Sequence, residues 1–129
     1  MSLIPARIDA VTLIVEDVRA SARFYRETMG FDEVSSSDVV VRFQLENVKL
    51  SLVDKKLLLQ EAYLDELPSA PGPVTLAVSV SAAEVDEYMA RLEQAGVKII
   101  APAETKPVGI RIGFVADPDG HLWELIEAY

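Results

Sequence analysis

The feature that most restricts this chain is a repeat. Val11-Thr12-Leu13 returns as Val74-Thr75-Leu76, each inside a run of alternating, β-branched-rich residues. Behind each run comes a segment with helical spacing that stops at glycine, first Gly30 and then Gly96, followed by a short strand and a hairpin. Pro71-Gly72-Pro73 separates the halves and suits a connector rather than a regular element. A half of about fifty residues is too small for a robust core of its own, so the two are expected to pack as one domain.

In the first half the pattern predicts a strand over 8–15 and a helix over 18–29, capped by Asp17 and burying Val18, Ala22, Tyr25 and Met29. A short strand over 32–35 precedes a hairpin, 39–45 and 48–53, that turns at Glu46-Asn47. The second half opens with a strand over 74–80. Ser81-Ala82-Ala83-Glu84 is a capping box before a helix that buries Val85, Tyr88, Met89 and Leu92. A short strand over 98–101 and a closing hairpin, 111–116 and 121–126, complete it. Asp117-Pro118-Asp119-Gly120 reads as the turn of that hairpin rather than as an acidic metal loop. Residues 54–67, with Leu57, Leu58, Leu59, Ala62, Tyr63 and Leu67, are apolar enough for one further short helix. The result is βαβββ twice. The expected fold is α+β: eight strands forming a half-open mixed β-barrel cup with helices outside. Its first module is 8–56, its linker 57–73 and its second module 74–129.

Composition removes whole classes of function. At 129 residues and 14.1 kDa the chain is one domain by size, and half of it is apolar, which excludes intrinsic disorder. With no cysteine there is no disulfide scaffold, thiolate metal site or cysteine nucleophile. One histidine excludes any site that needs two imidazoles from one chain. The net charge of −9 argues against a nucleic-acid partner, whose phosphates need clustered Lys and Arg. No apolar run reaches the ~18–20 residues of a membrane span, and the opening residues lack a secretory-leader pattern. The expected location is the cytoplasm, with neither nucleic acid nor membrane as partner.

Four segments carry a resemblance. Val11-Thr12-Leu13-Ile14-Val15-Glu16-Asp17, then Ser21-Ala22-Arg23-Phe24-Tyr25, then Met29-Gly30-Phe31 resemble the first module of the vicinal oxygen chelate superfamily, the glyoxalase, bleomycin-resistance protein and extradiol dioxygenase group. Phe114-Val115-Ala116-Asp117-Pro118-Asp119-Gly120-His121-Leu122-Trp123-Glu124-Leu125 resembles the closing hairpin of its second module. The likeness spans nearly the whole chain. It is specific for fold and poorly specific for function, because the group includes lyases, isomerases, dioxygenases and drug-sequestering proteins.

The resemblance implies four metal-ligand positions, on the first and last strand of each module. Here they hold Ala10, Ser51, Thr75 and Glu124. A methyl group binds no metal, and neutral hydroxyls are poor ligands for a divalent ion. The family's metal is therefore not expected, nor is any other cofactor. His121 is read as a surface or helix-packing residue. With Pro118-Asp119 as a two-residue tip, Ala116 would face His121, Val115 would face Leu122 and Gly113 would face Glu124, so His121 points away from Glu124. Ser21, near a helix start with no base at a fixed offset, is read as bonding locally rather than as a nucleophile.

The same pairing predicts the ligand-facing wall. It would carry Arg42 opposite Ser51, Gln44 opposite Lys49 and Arg111 opposite Ile126, together with Thr75 and Glu124, while Trp123 packs in the core. A buried Glu124 should find Arg42 or Arg111. The expected function is a metal-free relative of the bleomycin-resistance proteins that holds a small organic molecule in a cleft, as a homodimer in which strand exchange is an option. The acidic chain favours a cationic ligand and the arginines an anionic one. The alternative is an enzyme of the superfamily (lyase, isomerase or dioxygenase) with Glu124 as base or as the single retained metal ligand.

Overall fold

The structure, a computed structural model, describes residues 3, 6–56 and 74–128. The chain divides into two compact units, residues 1–67 and 68–129. Each described unit is a four-stranded mixed sheet with a helix against one face, so the α+β class follows from the repeat.

The first unit begins with β1 (Ala10–Val15), two residues later than the sequence suggests. Helix α1 (Val18–Arg23) is capped by Asp17, whose carboxylate accepts from the backbone of Arg19 and Ala20 at 3.1 Å. The expected helix continues to Thr28, but Phe24–Thr28 widens into a π-helical turn, with Met29 N donating to Phe24 O. The wider turn coincides with Tyr25, which is fully buried among Phe24, Phe31 and Phe43. Then come β2 (Asp32–Ser36), β3 (Val40–Gln44) and β4 (Lys49–Asp54). Leu45 N donates to Val48 O, so the Glu46-Asn47 loop has two residues and the register is the expected one: Val40 with Val53, Arg42 with Ser51, Gln44 with Lys49. The order is β1-β4-β3-β2, with β4 parallel to β1. Leu13, Val15, Val41, Phe43, Leu50 and Leu52 on one face of this sheet, with Val18, Ala22 and Tyr25, are the core.

In the second unit β5 (Thr75–Val80) leads into α2 (Ala82–Gln94), which opens with the expected capping box of Ser81 and Glu84. Strand β6 (Lys98–Thr105) runs past the expected stop at Ala101. Pro102 lies inside it, and β6 is an edge strand whose register shifts between Ile99 and Ala101 and again before Glu104. An edge strand with bulges tolerates a residue that lacks an N–H. Strands β7 (Arg111–Ala116) and β8 (Leu122–Glu127) finish the order β5-β8-β7-β6.

The closing hairpin corrects the expected register by one residue. Asp117 N donates to His121 O and Gly120 N to Asp117 O, both at 3.0 Å, and Gly120 has φ +88°. The loop therefore has three residues with a left-handed glycine, not a two-residue tip. Phe114 lies opposite Glu124, Gly113 opposite Leu125 and Val115 opposite Trp123. A one-residue slip turns a whole strand over, so Gly113 and Val115 join the buried Trp123 and Leu125 on the α2 side.

Beyond residue 56, the expected helix over 54–67 lies outside the described residues, as does Pro71-Gly72-Pro73. Among the described residues no helix is long and apolar enough to cross a membrane.

Candidate functional site

Residues paired across neighbouring strands share a sheet face, so the registers fix what each face away from its helix displays. Across the first sheet one line of paired residues runs Ser35, Arg42, Ser51, Thr12, and the next runs Asp32, Gln44, Lys49, Ala10. Across the second sheet the equivalent line is Ala101, Phe114, Glu124, Ala77, beside Lys98, Ala116, Leu122, Thr75. Ser51 and Glu124 thus occupy the same place in the repeat, as do Ala10 and Thr75.

This places the sequence-derived residues plainly. Arg42, Gln44, Lys49 and Ser51 are brought together on one face of the first sheet. Ser51 is 5% exposed, whereas Arg42, Gln44 and Lys49 are open to solvent. The Arg42 side chain makes no ion pair or hydrogen bond among the described residues. Thr75 and Glu124 meet on one face of the second, where Thr75 Oγ1 donates to Glu124 Oε2 at 2.8 Å. The register correction changes their surroundings. Phe114, not Gly113, is Glu124's cross-strand neighbour, an aromatic wall that a two-residue turn would have hidden.

Arg111 does not join this group. Its guanidinium makes a two-pronged contact with Asp86 of α2, Nε at 2.8 Å and Nη2 at 2.7 Å, and Nη1 bonds Thr105. The hydrogen bonds from Arg111 hold the Asp86 carboxyl below its ordinary range, and Asp86 in turn raises the guanidinium. The expected pairing of Glu124 with Arg111 is therefore not made. A hydroxyl, from Thr75, serves the carboxylate instead.

His121 sits at the hairpin loop, where its backbone N donates to the buried Asp117 carboxylate at 2.8 Å. Asp117 also accepts from Asp119 N at 2.9 Å, so the acidic motif is a turn held by its own backbone. Trp123 is 4% exposed, a core residue as expected.

The four positions that the resemblance marks as metal ligands do not fit a divalent ion. Ala10 has no donor atom, Ser51 and Thr75 offer neutral hydroxyls, and the one carboxylate already accepts a hydrogen bond. Among the described residues no three histidine or acidic side chains are grouped to hold a metal.

Comparison with known proteins agrees with this architecture. The family model for the glyoxalase/bleomycin resistance protein/dioxygenase superfamily matches residues 7–125. A virulence protein of Salmonella typhimurium is 29% identical, over 97% of this chain and 86% of its own length. A glyoxalase-related enzyme from Fulvimarina pelagi is 34% identical, with a TM-score of 0.83 over 95% of this chain and 88% of its own. Lactoylglutathione lyase from Agrobacterium tumefaciens is 25% identical, with a TM-score of 0.78 over 97% of this chain and 96% of its own. The paired βαβββ units and the match over almost every residue lead to one conclusion: this chain belongs to the glyoxalase/bleomycin resistance protein/dioxygenase superfamily.

Proposed function

We propose that this protein is a metal-independent member of its superfamily that binds a small organic molecule against the sheet face displaying Arg42, Gln44, Lys49 and Ser51, acting as a homodimer. The observation that carries the reading is the donor set: alanine, serine and threonine stand at three of the four metal positions, and Thr75 holds the remaining Glu124 carboxylate. Such faces keep the family's scaffold while their chemistry becomes recognition by hydrogen bonds and charge.

Metal analysis of the purified protein tests it. The expected result is no stoichiometric divalent ion and no change in thermal stability on adding a chelator, zinc, nickel or manganese. A metal present at a hundred times its Kd would add about 2.7 kcal/mol, an unmistakable shift. A tightly held ion in a 1:1 ratio would overturn the reading. Sedimentation should give twice the chain mass of 14.1 kDa.

A second reading is metal-independent acid–base catalysis with Glu124 as base. It is favoured by the Thr75 hydrogen bond, which fixes one carboxylate oxygen and leaves the other without a partner among the described residues. Under it Glu124→Gln abolishes turnover and leaves ligand binding intact. Under the binding reading no turnover exists to lose.

A further inference from the structure

The face of the first sheet that lies away from its helix points to a ligand class. In the first sheet Arg42 lies between Ser35 and Ser51 on its cross-strand line, with Thr12 beyond, and Lys49 follows on the adjacent line beside Gln44. Neither Arg42 nor Lys49 has a carboxylate partner among the described residues, although the chain carries 21 acidic residues against 12 basic ones. In a chain so acidic, unpaired cations that share a face stand out, because most other arginines described here are paired: Arg7 with Asp9, Arg19 with Asp38, Arg26 with Glu33, Arg111 with Asp86.

This face is also more than a solvated surface. The central strand β4 is closed off on both sides, with Ser51 at 5% and Val53 at 9% exposure on the side away from α1. The Ser51 side chain makes no hydrogen bond among the described residues, yet its oxygen is not sealed off: the described side-chain oxygen that is buried without a partner is that of Ser21 in α1, against the expectation that Ser21 bonds locally. A hydroxyl that is both unengaged and accessible can donate to a ligand oxygen. Directly opposite is the planar fork of Arg42, the group best suited to two oxygens of one acid.

We infer that Arg42, Ser51 and Lys49 form the receptor for an oxyanion head group, a carboxylate or a phosphonate or phosphate, on the small molecule this protein binds; the inference rests on the ligand-binding reading above. Arg42 supplies the two-pronged contact, Ser51 donates its hydroxyl proton, and Lys49 adds a second positive charge. Gln44, whose amide nitrogen donates to Leu45 O at 2.9 Å, borders the site. The acidic surface elsewhere then excludes anions that do not reach these residues, which reconciles the chain's net charge with an anionic ligand.

The test is an amide-resolved NMR titration of the full chain with four probes that share one ring: benzoate, phenylphosphonate, benzylamine and benzyl alcohol. Benzoate or phenylphosphonate should move the amides of residues 42, 49 and 51, and which of the two binds tighter identifies the acid. Arg42→Gln should weaken that binding about tenfold or more, and Lys49→Gln by less, as expected for losing a charge-assisted pair and a rim charge. Unchanged anion binding in Arg42→Gln overturns the receptor. So does a larger response of these amides to benzylamine or benzyl alcohol, and in either case ligand binding itself survives. If none of the four moves any residue of either sheet face, the ligand-binding reading fails as well.

Discussion

Gly113 shows how closely the second sheet and its helix approach. A Cβ built there would meet Met89 Cε at 2.7 Å, Sδ at 2.8 Å and Cγ at 3.0 Å. The thioether end can swing away, but Cγ is anchored near the α2 backbone. Gly113→Ala should therefore cost about 1–3 kcal/mol in urea unfolding, the usual penalty for overfilling a packed core. Met89→Ala leaves a hole and should cost about 2–5 kcal/mol alone. The double variant should cost less than the two together, because each change relieves the other. Sequence patterning named Met89 as a buried helix residue. It placed Gly113 on the wrong face, since nothing in Asp117-Pro118-Asp119-Gly120 distinguishes a two-residue tip from a three-residue loop closed by a left-handed glycine.

At the level of elements, helix α2 is held at its start and along its length by polar contacts of different origin. Ser81 and Glu84 satisfy each other's backbone at the N-terminus, and the hydrogen bonds from Ser81 keep the Glu84 carboxyl below its ordinary range. Ser81→Ala should lower stability by about 1 kcal/mol in denaturant unfolding. The Arg111–Asp86 contact ties the helix to β7, and its pH dependence has a definite sign. Asp86 titrates lower when folded than when unfolded, so its contribution is present above the ordinary carboxylate range and disappears as pH falls through the folded value. Asp86→Asn should be less stable than the parent at neutral pH, and the two should converge in acid. The difference should shrink in high salt, because both side chains are partly exposed. The capping box was legible because it is local. The Arg111–Asp86 contact was not, because it depends on which face of β7 the hairpin loop selects.

Across the whole molecule, what matters for function is which residues share a sheet face. The first hairpin shows that this is sometimes readable: Glu46-Asn47 is a two-residue loop, and Arg42, Gln44, Lys49 and Ser51 fell on one face as expected. In the second, the same reasoning put Gly113 beside Glu124, where the fold has Phe114, and so turned Arg111 to the wrong face. The consequence is a first face with Arg42 and Lys49 among hydroxyls and Asp32 at its edge strand, and a second with Glu124 between Phe114 and Ala77 and Lys98 at its edge strand. Glu124→Gln should leave benzoate binding within about twofold of the parent if the oxyanion is held by Arg42 and its neighbours, since Glu124 belongs to the second sheet and its carboxylate is engaged by Thr75. A loss as large as that of Arg42→Gln, read in the same NMR titration, would overturn the assignment of the anion to the Arg42 face.

The order of residues alone fixed the repeat, the sheet-and-helix alternation, the family and the emptying of the metal positions of nitrogen and sulfur donors, because periodicity, capping and residue chemistry are properties of short stretches. Tertiary structure decided the neighbours of Glu124, the engagement of Arg111 by Asp86 and the π-helical turn around Tyr25. Those depend on the conformation of single loop residues and on how side chains share a core. A strand that slips by one residue exchanges its two faces, and no local pattern records that choice.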